Sequence, residues 1–123
     1  MSGLAFRRSA AGDACAISSL VTAAFGGPGE AALIETLRRD GDMLQEFVAT
    51  VLDEVVAHIA FSRLDMRHGD ATLRAAALAP LAVAPAHQRA GAGTALTHHA
   101  LKELRSLARD LGAAGTVERE EPG

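Results

Sequence analysis

Apolar residues in this chain recur with two periods, and the switches between them mark its elements. Leu4 to Arg8 reads as a short strand. Asp13 then precedes Ile17, Leu20, Val21, Ala24 and Phe25, whose helical spacing makes one apolar stripe. That predicts a helix capped by Asp13 and ended by Gly26-Gly27-Pro28. A second helix is predicted over residues 30–39, with Leu33, Ile34 and Leu37 inward and Asp40-Gly41 as its stop. Residues 47–52 and 55–64 are β-rich runs and predict a hairpin turning at Asp53-Glu54. His68-Gly69-Asp70 marks the next turn, and residues 73–83 the following strand. Pro80 has no N–H to donate, so a bulge or splayed position is expected there. Residues 94–111 give the clearest helix, with Leu96, Ala100, Leu104, Leu107 and Leu111 on one face and Gly112 as C-cap. The order is β-α-α-β-β-β-α, an α/β chain of the α+β type on a mainly antiparallel sheet, with no internal repeat.

With 123 residues, 49% of them hydrophobic, the chain has room for one small domain. Residues 1–112 are assigned to it. The remainder ends in Glu118-Arg119-Glu120-Glu121-Pro122-Gly123 and reads as a disordered tail, although residues 113–117 have the composition of a strand start. A net charge of −3 gives no basic field toward nucleic acid or an anionic membrane. The longest apolar run, residues 75–86, is too short to span a bilayer and holds two prolines. No signal-type segment follows Arg7-Arg8, and the single Cys15 excludes an internal disulfide or a multi-cysteine metal site. A cytoplasmic protein without a metal is expected. The absence of Trp and Tyr excludes an aromatic cage or a base-stacking platform.

The chemistry concentrates in one stretch, Leu81-Ala82-Val83-Ala84-Pro85-Ala86-His87-Gln88-Arg89-Ala90-Gly91-Ala92-Gly93-Thr94. It reads as strand end, glycine loop and helix start. Such a junction gathers free backbone N–H groups and the positive end of a helix dipole, which makes an anion site. Gly91 and Gly93 allow close approach and positive φ where a Cβ would obstruct. Each hydrogen bond to a charged oxygen stabilises a complex by roughly 1.5–3 kcal/mol. An ordinary sharp strand-to-helix turn is the bland alternative. A kinase-type phosphate loop lacks its Gly-Lys-Ser/Thr here, and Leu96 occupies the last glycine of a dinucleotide fingerprint.

Gln88-Arg89-Ala90-Gly91-Ala92-Gly93 resembles the acyl-coenzyme A pyrophosphate loop of the GNAT family of N-acetyltransferases, and Leu81-Ala82-Val83 with Pro85 resembles that family's strand before the loop. The segment Val56-Ala57-His58-Ile59-Ala60-Phe61-Ser62 looks like a subgroup of small acetyltransferases of unassigned substrate. The likeness runs from Leu4 to Leu111 and implies the acyl-CoA N-acyltransferase fold, an antiparallel sheet flanked by helices. It implies acetyl-CoA as co-substrate and an amine as acceptor. Main-chain groups of Leu81, Ala82 and Val83 would bind the pantetheine arm, and Gln88, Arg89, Ala90, Gly91, Ala92, Gly93 and Thr94 the pyrophosphate.

The resemblance also implies a closing βαββ portion beyond Gly112, for which eleven residues remain, so a truncated or altered end is expected, with the fourth strand left an unpaired edge open to self-association, a homodimer included. The family's usual acid for the departing thiolate is a tyrosine, and its frequent base is a glutamate of the fourth strand. The chain has no Tyr and residues 73–83 have no acidic side chain, so catalytic residues stay unassigned. His58 and Ser62 share a strand face by period-two spacing, lining either an acceptor cleft or a plain polar sheet face. His98 and His99 are adjacent on a helix and read as solvated, as do His87, Lys102, Arg38 and Arg39, while Cys15 reads as a packing residue. A non-catalytic acyl-CoA binding module and an unrelated nucleotide-binding fold are the competing readings.

Overall fold

The computed structural model describes residues 3–68, 71–89, 91–110 and 116–118. Strand β1 (Leu4–Arg8) leads through a 3₁₀ turn (Ala11–Asp13) to α1 (Ala14–Phe25) and α2 (Gly29–Arg39). Strands β2 (Met43–Val51), β3 (Glu54–His68) and β4 (Ala71–Val83) follow. A second 3₁₀ turn (Pro85–His87) then connects to α3 (Ala92–Asp110), and β5 (Thr116–Glu118) comes last. The sheet order is β1-β2-β3-β4-β5, antiparallel through β4, with β5 parallel to β4 at Ala75–Ala77.

Alternation along β2 divides the core between the two faces of the sheet. Phe47, Ile59 and Phe61 pack with Leu96, Ala100 and Leu104 of α3. Val48 and Ala82 pack on the other face with Ile17, Leu20 and Val21 of α1 and with Ala31 and Ile34 of α2. Each large side chain fully buried this way contributes roughly 1.5–3 kcal/mol. Phe47 and Phe61 meet edge to face, with ring centroids 6.3 Å apart.

Several expectations need correction. Asp13 does not cap α1 with its side chain. Its carboxylate instead accepts the Ala10 N–H at 2.7 Å and the Arg7 guanidinium at 2.6 and 3.0 Å, closing the 3₁₀ turn ahead of the helix. Phe25 and Leu33 remain 44% and 45% exposed, since the stripe on each helix is wider than the strip of sheet it covers. The hairpin turns at Leu52-Asp53, one residue before the expected place, with both residues at positive φ (50° and 65°). Cys15 is exposed, so it is not a packing residue. Strand β5 pairs with β4 over Ala75–Ala77, so β4 is not a bare edge there. Leu111, Gly112 and the turn residues Gly69 and Asp70 lie outside the described residues.

The expected bulge is where Pro80 placed it. Ile59 pairs with Leu81 and Phe61 with Leu78, so Ala79 and Pro80 together oppose Ala60. The proline is accommodated where the β3–β4 register is broken.

Candidate functional site

Strand β4 ends at Val83, and the chain turns at once. Ala84 N–H still reaches Val56 O at 2.8 Å, while Ala84 O accepts from His87 N–H at 2.8 Å and Gln88 N–H at 3.1 Å. The Gln88 side chain folds back, its Nε2 donating to Val83 O at 3.0 Å. Gln88 is therefore a latch on the end of β4, a role its position in the loop did not suggest. Arg89 and Gly91 take positive φ (72° and 80°), which swings the chain into α3. Intrahelical bonding starts with Ala95 N–H to Gly91 O at 3.0 Å. The amides of Ala92, Gly93 and Thr94 precede that bond in the first turn and have no backbone acceptor among the described residues. Thr97 Oγ1 caps nothing here; it donates to Gly93 O at 2.8 Å one turn below.

The two glycines do different jobs. A Cβ at Gly91 would meet nothing within 4 Å, so this position needs glycine for its positive φ and faces open space. A Cβ at Gly93 would lie 3.1 Å from Val83 Cγ2 and 3.6 Å from Leu81 Cδ2. Gly93 thus lets the first turn of α3 sit directly on β4. The helix begins at Ala92, two residues earlier than its apolar pattern indicated, which brings Gly93 into its first turn. Of the ten residues expected to hold the coenzyme, Leu81, Ala82 and Val83 follow the bulge, and Gln88, Arg89, Gly91, Ala92, Gly93 and Thr94 follow within eleven residues of Val83. Ala90 lies outside the described residues. Gly91 and Thr94 are both exposed.

A second polar centre lies on the α1–α2 face, and sequence reasoning missed most of it. Arg38 of α2 makes a two-pronged contact with Glu46 of β2, Nε to Oε2 at 2.8 Å and Nη2 to Oε1 at 2.6 Å. His58 Nε2 lies 2.9 Å from Glu46 Oε1. Arg38 is therefore not a solvated charge, and His58, with no exposed surface, is not part of a plain polar face. Burial opposes ionisation of Glu46, yet the hydrogen bonds from Arg38 and His58 outweigh it and hold the carboxyl down at about 2. An ionised carboxylate only accepts, so His58 Nε2 carries the hydrogen in this contact. Nδ1 is then the ring's other nitrogen, enclosed and without a hydrogen-bond partner among the described residues. Leaving such an atom unpaired costs roughly 1–3 kcal/mol, so it calls for an explanation.

Three of the other histidines, His87, His98 and His99, have described surroundings. His99 is half-buried and stacks on Phe6 with centroids 5.2 Å apart, which corrects its reading as solvated, whereas His98 is exposed. His87 is half-buried in the 3₁₀ turn. Among the described residues no group of three His, Cys, Asp or Glu side chains is placed to hold a metal ion, and no helix is long and apolar enough to cross a membrane.

Comparison with known proteins gives this geometry a family. The chain is 29% identical to the GNAT family N-acetyltransferase YhbS from Escherichia coli, solved in complex with CoA, with a TM-score of 0.79 over 87% of this chain. It spans 59% of that protein's length. A GNAT family acetyltransferase from Brucella melitensis, solved in complex with acetyl-CoA, is 27% identical with a TM-score of 0.79, over 99% of this chain and 79% of its own. The ribosomal-protein-S18-alanine N-acetyltransferase from Escherichia coli shares the fold at 22% identity, with a TM-score of 0.66 over 85% of this chain and 61% of its own. No curated protein sequence matches the chain. The model of the acetyltransferase (GNAT) domain matches residues 5–112, and with that match the chain belongs to the GNAT acetyltransferase family.

Proposed function

We propose that this chain binds acetyl-CoA at the β4–α3 junction and serves transfer of its acetyl group to an amine. One observation carries the reading: among the described residues the amides of Ala92, Gly93 and Thr94 have no backbone acceptor, and they lie beside open space at Gly91 in the turn that follows β4. A diphosphate needs converging N–H donors with no Cβ in the way, and a helix first turn entered through glycines supports that reading. Gln88, Arg89, Ala90, Gly91, Ala92, Gly93 and Thr94 would hold the pyrophosphate, and main-chain groups of Leu81, Ala82 and Val83 the pantetheine arm. Main-chain donors at β4 would also polarise the thioester carbonyl, so the reading calls for no metal. The two coenzyme-bound relatives support it by likeness. The functional unit is residues 1–112, and the free, exposed Cys15 fits a reducing cytoplasm.

Calorimetry with coenzyme A tests the site. Wild type should bind, and Gly91→Val, which puts a branched side chain into the open space at strained φ, should bind at least about tenfold more weakly, the equivalent of losing one charge-assisted bond. Binding of a nicotinamide dinucleotide in place of coenzyme A would sink the reading. Thiol release from acetyl-CoA in the presence of amines separates an enzyme from a non-catalytic binding module.

A further inference from the structure

We propose that His58 is the proton acceptor for the incoming amine, with Glu46 and Arg38 as the positioning residues behind it; this rests on the acetyl-transfer reading above. His58 pairs in register with Ala82 across the β3–β4 ladder, so its side chain stands on the same face as that of Ala82, one strand from the main chain expected to carry the pantetheine arm. The β4 bulge at Ala79 and Pro80 follows directly, opposite Ala60. The ring is fixed by the 2.9 Å contact of Nε2 with Glu46, and Arg38 fixes Glu46 from the other side with two short bonds. Nδ1 is the enclosed nitrogen that this arrangement leaves without a partner. Ile17, Val21 and Ala82 pack on this face, and Glu46 and Arg38 are the charged groups bonded in the cluster. The pattern is that of a base held by a carboxylate, as general acid–base catalysis requires.

The step balances as follows. An acceptor arrives as an ammonium ion, and Nδ1 takes one of its protons, directly or through one water. The freed nitrogen attacks the thioester carbonyl carbon; the C–N bond forms and the C–S bond breaks, its electron pair leaving on sulfur. The second proton lost by nitrogen goes to the thiolate, and the first passes from His58 to solvent. While His58 is charged, the Glu46 carboxylate balances it.

The test compares wild type, His58→Gln and Glu46→Gln, each checked for folding by circular dichroism. Acetyl-CoA binding, measured by calorimetry, should be unchanged in all three. Thiol release from acetyl-CoA is then followed across a panel of primary amines that includes spermidine and a tripeptide with a free N-terminus. His58→Gln should lower kcat about 10²-fold with the KM for acetyl-CoA unchanged. Glu46→Gln should lower it about tenfold, and it carries the test if His58→Gln does not fold. Free imidazole should restore part of the rate to His58→Gly, which a packing role for the ring does not predict. Wild-type kcat in His58→Gln, or in Glu46→Gln where that variant carries the test, overturns the proposal, as does loss of coenzyme binding in parallel with rate. Wild type that binds acetyl-CoA yet releases no thiol with any amine also overturns it and leaves the coenzyme site standing. Failure of wild type to bind acetyl-CoA removes the reading beneath both.

Discussion

The β4–α3 loop and the Arg38–Glu46–His58 cluster are both polar centres, yet they are built in opposite ways. In the proposed reading the loop would work through main-chain amides of nearly consecutive residues, and only its glycines are demanding. The cluster works through three side chains from three elements, held together by the hairpin register and by α2. A centre made of backbone tolerates most side-chain changes, whereas one made of buried charge tolerates almost none. The largest expected effect follows from that contrast. Arg38→Met leaves Glu46 buried with its main cationic partner gone and should cost about 3 kcal/mol in urea unfolding, the low end for a broken buried pair because Arg38 keeps some exposure. Coenzyme A affinity of the protein that remains folded should not change. A loss below about 1 kcal/mol would place this pair among ordinary surface contacts.

Acid separates the cluster from a surface pair with the same nominal strength. Glu46 and Asp13 are both held down at about 2, Glu46 against its burial and Asp13 chiefly by its hydrogen bonds with Arg7. A carboxyl whose native value is depressed stabilises the fold above its unfolded value, and loses that contribution as pH falls toward the native one. For Glu46 the window runs from 4.5 down to about 2, with a ceiling of about 3 kcal/mol. Asp13 pairs with an Arg7 side chain that is 44% exposed, so solvent screening reduces its share to below about 1 kcal/mol. Stability measured from pH 6 to pH 2.5 should therefore lose most of its slope in Glu46→Gln and little in Asp13→Asn. Salt at about 0.5 M should erase the Asp13 effect and spare that of Glu46.

This contrast also explains what could be read in the sequence. The loop was legible because its signals are local: Pro80 for the bulge, glycines for the turn, and an apolar stripe for the helix after it. The strand and helix order was legible for the same reason. The cluster was not, because it depends on register. Placing the hairpin turn at Asp53-Glu54 instead of Leu52-Asp53 shifts the β2–β3 pairing by two residues next to the turn and by one from Ala49 to Gln45, which separates Glu46 and His58 from their true neighbours. A bulge between Ala49 and Thr50 shifts the pairing again. The signal that was available is a carboxylate two residues from Val48 and a histidine in the otherwise apolar run from Val55 to Phe61, both at inward positions. Leu52, 94% exposed and at positive φ, is an unusual turn residue, and Asn or Gly there would have announced the turn.

Within the loop, the two glycines sharpen the same lesson at a smaller scale. Gly93→Val should destabilise the fold by about 2 kcal/mol, because the added atoms meet Val83 and Leu81 and push α3 off β4. Gly91→Val meets nothing, so its cost is the conformational strain of about 1–2 kcal/mol. Urea unfolding measures both. If Gly93→Val proved the milder of the two, the close seating of α3 on β4 would be wrong.

The smallest effect compares one substitution in two turns. Arg89 and Leu52 are both non-glycine residues at positive φ, 72° and 50°. Glycine relieves strain at either site, but it also frees the unfolded chain, so each replacement should stabilise by no more than about 1 kcal/mol. The fold therefore has no more reason to keep arginine at 89 than leucine at 52. The coenzyme does, if the exposed guanidinium pairs with a phosphate. Arg89→Gly should then weaken coenzyme A binding about threefold to tenfold at low salt, with the difference shrinking as salt rises, while Leu52→Gly leaves binding unchanged. Equal affinities for the two variants would mean that Arg89 faces solvent and that the amides hold the phosphates unaided.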